Sequence, residues 1–193
     1  MHDFRLRSND SIRQLLRLVL LVAALPLAAI ACSDAEVDTG PPVSRENPVV
    51  PLDTGMVLIV SGSDTVRVNV EIAETSTQRE IGLMERTHLP ENDGMIFLSE
   101  QENPAESGFW MFRTRIPLDI AHMDRDGRIV SIMRMEPCSS PYATGCPTYP
   151  ARASYWHSLE VNAGFFESRG IDIGDRVMLF DADGQQVVPA ADI

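Results

Sequence analysis

Apolar and polar residues alternate with a two-residue period through much of the chain. Val66, Val68, Val70 and Ile72 alternate with Thr65, Arg67, Asn69 and Glu71, the signature of a strand with one buried face. The run Met56–Val60 precedes it across Ser61-Gly62-Ser63-Asp64, so the two read as a hairpin. A second hairpin is predicted from Ile120–Met123, the turn Asp124-Arg125-Asp126-Gly127, and residues 128–133. A third runs from Arg176–Phe180 through Asp181-Ala182-Asp183-Gly184 to residues 185–188. Asp and Gly tolerate the positive φ that tight hairpins require. Two short helices interrupt the strands. Thr75, with Gln78 three residues on, has the spacing of a capping box, and Gly82 ends that helix. Asn162 is expected to cap a second helix over residues 163–169, closed by Gly170. The expectation is one mainly-β domain over residues 55–193, a compact barrel or sandwich with two short helices.

The N-terminal third has another character. Arg5, Arg7, Arg13 and Arg17 precede an apolar stretch that ends in Ala29-Ile30-Ala31-Cys32, the layout of a secretory signal. The clean run Leu18–Ala31 contains Pro26 and is too short for a comfortable membrane span. Small residues directly before Cys32 resemble the lipobox of bacterial lipoproteins, which implies a leader of residues 1–31 and acylation of Cys32. Ser33 after the Cys implies outer-membrane sorting, so the expected location is the periplasmic face of that membrane, with the membrane itself as partner. Residues 32–54 are polar, acidic and punctuated by Pro41, Pro42, Pro48 and Pro51, which reads as a disordered linker.

The remaining cysteines, Cys138 and Cys146, lie in a loop shaped by Pro137, Pro141, Gly145 and Pro147. Outside the cytoplasm such a pair is expected to be oxidised to a disulfide. The net charge is −12, and it becomes −14 once residues 1–31, with four Arg and two Asp, are removed. No Lys occurs anywhere. A chain so acidic repels phosphate backbones, which argues against nucleic acid as a partner.

Several segments, taken together, resemble domain-of-unknown-function family number 192, a set of uncharacterised, envelope-associated proteins. They are Val70–Ala73, Arg79–Arg86, Leu89-Pro90, Gly94–Phe97, Phe109–Met111, Thr114, Ile116–Asp119, Pro137-Cys138, Leu159–Gly164, Gly170-Ile171 and Gly174–Val177. The resemblance implies a compact mainly-β barrel or sandwich with short helices, and it implies no activity. Members usually carry Asn where this chain has Arg113, and an aromatic residue where it has His122.

No nucleophile elbow, zinc-protease helix, Walker loop or dinucleotide fingerprint is present, so no catalytic residue and no cofactor is assigned. Asp124-x-Asp126-Gly and Asp181-x-Asp183-Gly are accounted for as hairpin turns and lack the remaining ligands of a calcium loop. Met84, Met111 and His122 are the candidates for a soft-metal site, against the plainer role of Met as core filler. The main constellation is Arg79, Arg86, Trp110, Asp119 and Glu160, with Arg113 and Arg115 nearby. Asp119 and Glu160 are carboxylates inside otherwise apolar strands and need a partner or solvent. The constellation therefore reads either as an anionic-ligand pocket walled by Trp110 or as structural Arg–carboxylate bridges. Either way, Arg79 or Arg86 is expected within salt-bridge reach of Asp119 or Glu160. The expected function is an envelope binding or accessory module for a small ligand, an envelope polymer or a protein. The alternatives are a carboxylate-dependent hydrolase or transferase, and a Met/His copper carrier.

Overall fold

The computed structural model describes residues 50–188. The leader, Cys32 and most of the linker lie outside the described residues. Ten strands carry the fold: β1 (Asp53–Ser61), β2 (Asp64–Ala73), β3 (Asp93–Phe97), β4 (Gly108–Trp110), β5 (Leu118–Met123), β6 (Ile129–Met135), β7 (Thr148–Pro150), β8 (His157–Asn162), β9 (Arg176–Asp181) and β10 (Gln186–Val188). Helix α1 spans Ser76–Ile81 and α2 spans Phe165–Ser168. Among the described residues, no helix is long and apolar enough to cross a membrane.

Eight strands form one sheet in the order β10-β9-β1-β2-β3-β8-β5-β6, and β4 pairs with β7 in a separate ribbon. All three expected hairpins form. In the first, Ser61 pairs with Asp64 across Gly62, whose φ is +58°, a value that suits the turns matched to strand twist. β2 and β3 run parallel, the crossover between them being built around α1. The sheet curls until its two ends meet. Arg128 bridges Arg176, Ile129 N–H donates to the Asp175 carbonyl at 2.9 Å, and Val177 N–H donates to the Gly127 carbonyl at 2.8 Å. Gly127 is needed there, because its φ is +79° and a Cβ would run into the Val177 carbonyl.

The curl produces two apolar layers. Val57, Ile59, Val68, Val70, Leu159 and Val161, with Phe165 and Phe166 of α2, fill the concave side. Met95, Phe97, Leu118, Ile120 and Met135 form the convex side, covered by Leu83, Leu89 and Met111. Successive residues of β3, β5 and β8 therefore alternate between two buried environments, which explains why every residue of β5 is buried.

Helix α1 has the expected capping box, made by Thr75 and Gln78. It buries no residue fully, so its docking is polar: Gln78 Nε2 donates to the Pro51 carbonyl at 2.7 Å, and Arg79 Nη1 donates to the Leu98 carbonyl at 2.9 Å and also to the Glu74 carbonyl. The second expected cap is not made. Gly164, with φ +85°, stands at the N-cap of α2, while Asn162 ends β8 and donates to the carbonyls of Leu89 and Pro90. A polar residue before an apolar helix is an ambiguous signal, and here cross-chain bonding took it.

Cys138 and Cys146 are joined in a disulfide across a loop that contains a 3₁₀ turn at Ala143–Gly145. Cys138 packs against the convex layer and bridges Phe112, tying the β6–β7 loop to the segment after β4. Replacing both cysteines by Ser is expected to cost about 2.5 kcal/mol, the chain-entropy value for so short a loop. Urea titrations of the oxidised and double-Ser proteins measure it, and equal midpoints would contradict it.

Candidate functional site

A cavity of about 290 Å³ opens on the convex side of the sheet. Its floor comes from β8, where Ser158 and Glu160 share the face opposite Leu159 and Val161. One wall is α1 with the turn after it, from Arg79 to Met84. The others are Phe97 at the end of β3, Phe109 and Trp110 of β4, and Tyr155 and Trp156 just before β8. β4 hugs β7 so closely there that a Cβ on Gly108 would run into the Tyr149 carbonyl. The chain's two tryptophans, Trp110 and Trp156, both line this cavity.

Glu160 is the unusual group. It is 4% exposed, and among the described residues no hydrogen bond or ion pair reaches its carboxyl. Opposite it across the sheet stand Met95 and Ile120, both apolar. Burial among them pushes its pKa up to about 8. Near neutral pH the cavity thus has a protonated carboxylic acid in its floor.

Beside Ser158, as its partner on β5, lies the fully buried His122. Its Nδ1 is 2.8 Å from Ser158 Oγ, and its Nε2 has no partner among the described residues. The ring sits 4.4 Å from Tyr155 and 5.6 Å from Phe109, centroid to centroid. Burial lowers its pKa to about 4.

Of the expected constellation, the structure brings Arg79, Trp110 and Glu160 to one cavity and leaves Arg86 and Asp119 elsewhere. The expected Arg–carboxylate contacts are not formed. Arg79 spends its Nη1 on backbone carbonyls, and Arg86 pairs with Glu71 at 2.5 Å. Asp119 faces the concave layer beside Val161, where it accepts from Arg134 Nε at 3.0 Å and Gly164 N–H at 2.7 Å. Asp119 and Glu160 thus occupy opposite faces of the sheet. Arg113 and Arg115 converge on Glu85, whose pKa is lowered first by Arg115 and then by Arg113. Glu85 and Arg113 both have positive φ, and Glu85 N–H donates to the Arg113 carbonyl at 2.7 Å. Asn adopts that backbone more readily than Arg.

Met84 lines the cavity, whereas Met111 is buried in the convex layer. Among the described residues, no group of three or more His, Cys, Asp and Glu side chains is placed to hold a metal. Ser158, Tyr155, Trp156, Phe97 and Phe109 are site residues the sequence reading missed. Ser158 had a signal, being a second polar residue on the Glu160 side of an apolar strand.

Curled sheet, polar-docked helix and lateral cavity define the class: a small β domain with a lined cleft on its convex face. Residues 56–179 match the family model of domain of unknown function 192, described as "Uncharacterized ACR", and the chain belongs to that family. Solved structures are similar to it, among them the following two. One, from Sinorhizobium meliloti 1021 and named provisionally as a transcription regulator, is 31% identical with a TM-score of 0.60, the match covering 66% of this chain and 95% of that one. The other, a protein of unknown function from Novosphingobium aromaticivorans DSM 12444, is 34% identical with a TM-score of 0.56, covering 67% and 88%. No curated protein matches the chain.

Proposed function

We propose that this chain is a lipid-anchored binding module of the bacterial cell envelope, whose β domain holds a small organic ligand in the cavity over β8. The observation that carries the reading is Glu160: a buried carboxyl without a partner among the described residues, facing a cavity with aromatic residues in its walls. Such a group destabilises an empty fold and is useful when a ligand supplies what the protein does not. The size fits a compact ligand, at the lower end of ordinary binding pockets. The anchor rests on the basic and apolar leader ending at Cys32, and the disulfide suits an oxidising compartment. The regulator name of the Sinorhizobium protein is not carried over, since a net charge of −12 opposes binding to DNA.

The enzyme alternative is less well supported. It needs two titratable groups converging in an open cleft, yet Asp119 and Glu160 lie on opposite faces. The Ser158–His122 pair is close enough for proton transfer, but an imidazole that titrates near 4 is a weak base at neutral pH.

Mass spectrometry of the full chain extracted gently from its own membranes tests the proposal. Under native conditions a small-molecule adduct is expected, and after denaturation a mass equal to residues 32–193 plus acyl chains. A protein that is bare under native conditions, with Trp emission indifferent to a broad small-molecule library, would remove the binding reading. An unacylated Cys32 would remove the anchor.

A further inference from the structure

Resting on the cavity as a binding site, we infer that its ligand is a compact organic cation, a protonated amine or quaternary ammonium, with the Glu160 carboxylate as its counter-ion and the surrounding aromatic rings as its cage. Three observations converge. Glu160 is 4% exposed, lines the cavity and has no partner among the described residues. A cation is the ligand that most improves such a group, because it restores the charge that burial suppresses. Aromatic side chains are grouped in the walls, with Phe97, Phe109, Trp110, Tyr155 and Trp156 all bordering one small space beside the polar Ser99, Asn103 and Thr114. The guanidinium of Arg125 already lies over the Trp156 ring, 5.2 Å from its centroid, so the other rings carry the cage. Ring faces attract ammonium groups, more so when water is excluded, and Trp is the best of them. Finally, the net charge of −12 draws cations toward the surface and repels anions.

Arg79 is the natural objection, since it lines the same cavity. Its Nη1 is held by the carbonyls of Glu74 and Leu98 at the junction of α1 and β3, and desolvation is what moves Glu160, not a neighbouring charge. Arg79 is thus a strut of the wall and not the counter-ion of Glu160. The other titratable groups facing the cavity are Glu80, on the exposed rim of α1, and Tyr155, whose pKa burial raises further above its usual value. His122 stands beside Ser158 on the neighbouring strand, on the same face of the sheet. Glu160 is accordingly the group that exchanges a proton when a cation enters: the proton leaves to solvent as the ligand takes its place. A cavity of about 290 Å³ has room for about ten waters at liquid density. The ligand, or the part of it held here, therefore has at most about ten non-hydrogen atoms, and choline lies within that limit.

Both tryptophans line the site, so their emission reports occupancy directly. The test titrates the full chain with choline, with its uncharged carbon isostere dimethylbutanol, and with the matching anion tert-butylacetate. Choline is expected to bind in preference to both. Its Kd should fall about tenfold per pH unit on approaching pH 8 and level off above it, since binding requires the ionised acid. Glu160→Gln should weaken choline by at least about tenfold and abolish the pH dependence, leaving the isostere unaffected. Equal or tighter binding of dimethylbutanol, affinity that rises as pH falls, or preference for tert-butylacetate would overturn the cation while leaving the binding site in place. If no probe shifts the emission at millimolar concentration, the cation is likewise overturned. The binding reading falls with it only if the native mass spectrum is also bare and the wider library silent.

Discussion

At about pH 9 the Glu160→Gln protein is expected to be more stable than the parent by about 3–5 kcal/mol relative to their difference at about pH 4. Glu160 in the folded protein titrates near 8, against 4.5 for the unfolded chain. Between those values the native state holds a proton that the unfolded state has released, so stability falls as pH rises. The contribution is complete below 4.5 and gone once pH has risen through about 8. Gln has the same shape and cannot ionise, so it removes this dependence. Any fixed cost of burying its amide appears at both pH values and cancels. Urea titrations at the two pH values, with unchanged m, give the number. A constant offset between the proteins would mean that Glu160 ionises freely and that its burial is not as described.

His122→Phe should show the opposite dependence. The imidazole titrates near 4 in the folded protein and near 6.5 when unfolded. Its contribution is fully present above 6.5 and lost as pH falls through about 4, because the unfolded chain gains a proton that the native state refuses. Phe accepts no proton, so the variant is expected to gain about 3 kcal/mol on the parent between about pH 7.5 and pH 3.5. At neutral pH the effect is small: the contact with Ser158 Oγ is lost, but an unpartnered Nε2 goes with it. The same denaturation series serves, and a variant that loses ground in acid would contradict the assignment. Carrying both substitutions should flatten the stability profile on both sides of neutrality.

What the sequence disclosed was local. Hairpin turns such as Gly62-Ser63 and the Thr75–Gln78 capping box are written in adjacent residues, and they form as read. The face of each carboxylate within its own strand was also legible: Asp119 opposite Leu118, Glu160 opposite Leu159. Whether the two carboxylates share a side of the sheet depends on β5 pairing Ile120 with Glu160. Nothing within either strand states that register. The parallel pairing of β2 with β3 was equally invisible. Arg79 was placed on a docking helix correctly, but its partners are backbone carbonyls, which no side-chain inventory reveals. The aromatic walls come from segments around residues 97, 110 and 156, and only the folded chain makes them neighbours.

The pairing of β1 with β9 bears on when folding happens. β1 opens the domain and β9 comes near its end, so the first strand has a neighbour on only one side until the last hairpin has emerged. The junction between Gly127 and Val177 likewise waits for that late segment. Contacts so distant along the chain close slowly. A chain passing a membrane in the extended state, as the proposed leader requires, gains from that delay: its sheet cannot be completed while part of β9 is still on the side of synthesis. For a chain exported as proposed, this topology would delay closure of the sheet until β9 has followed.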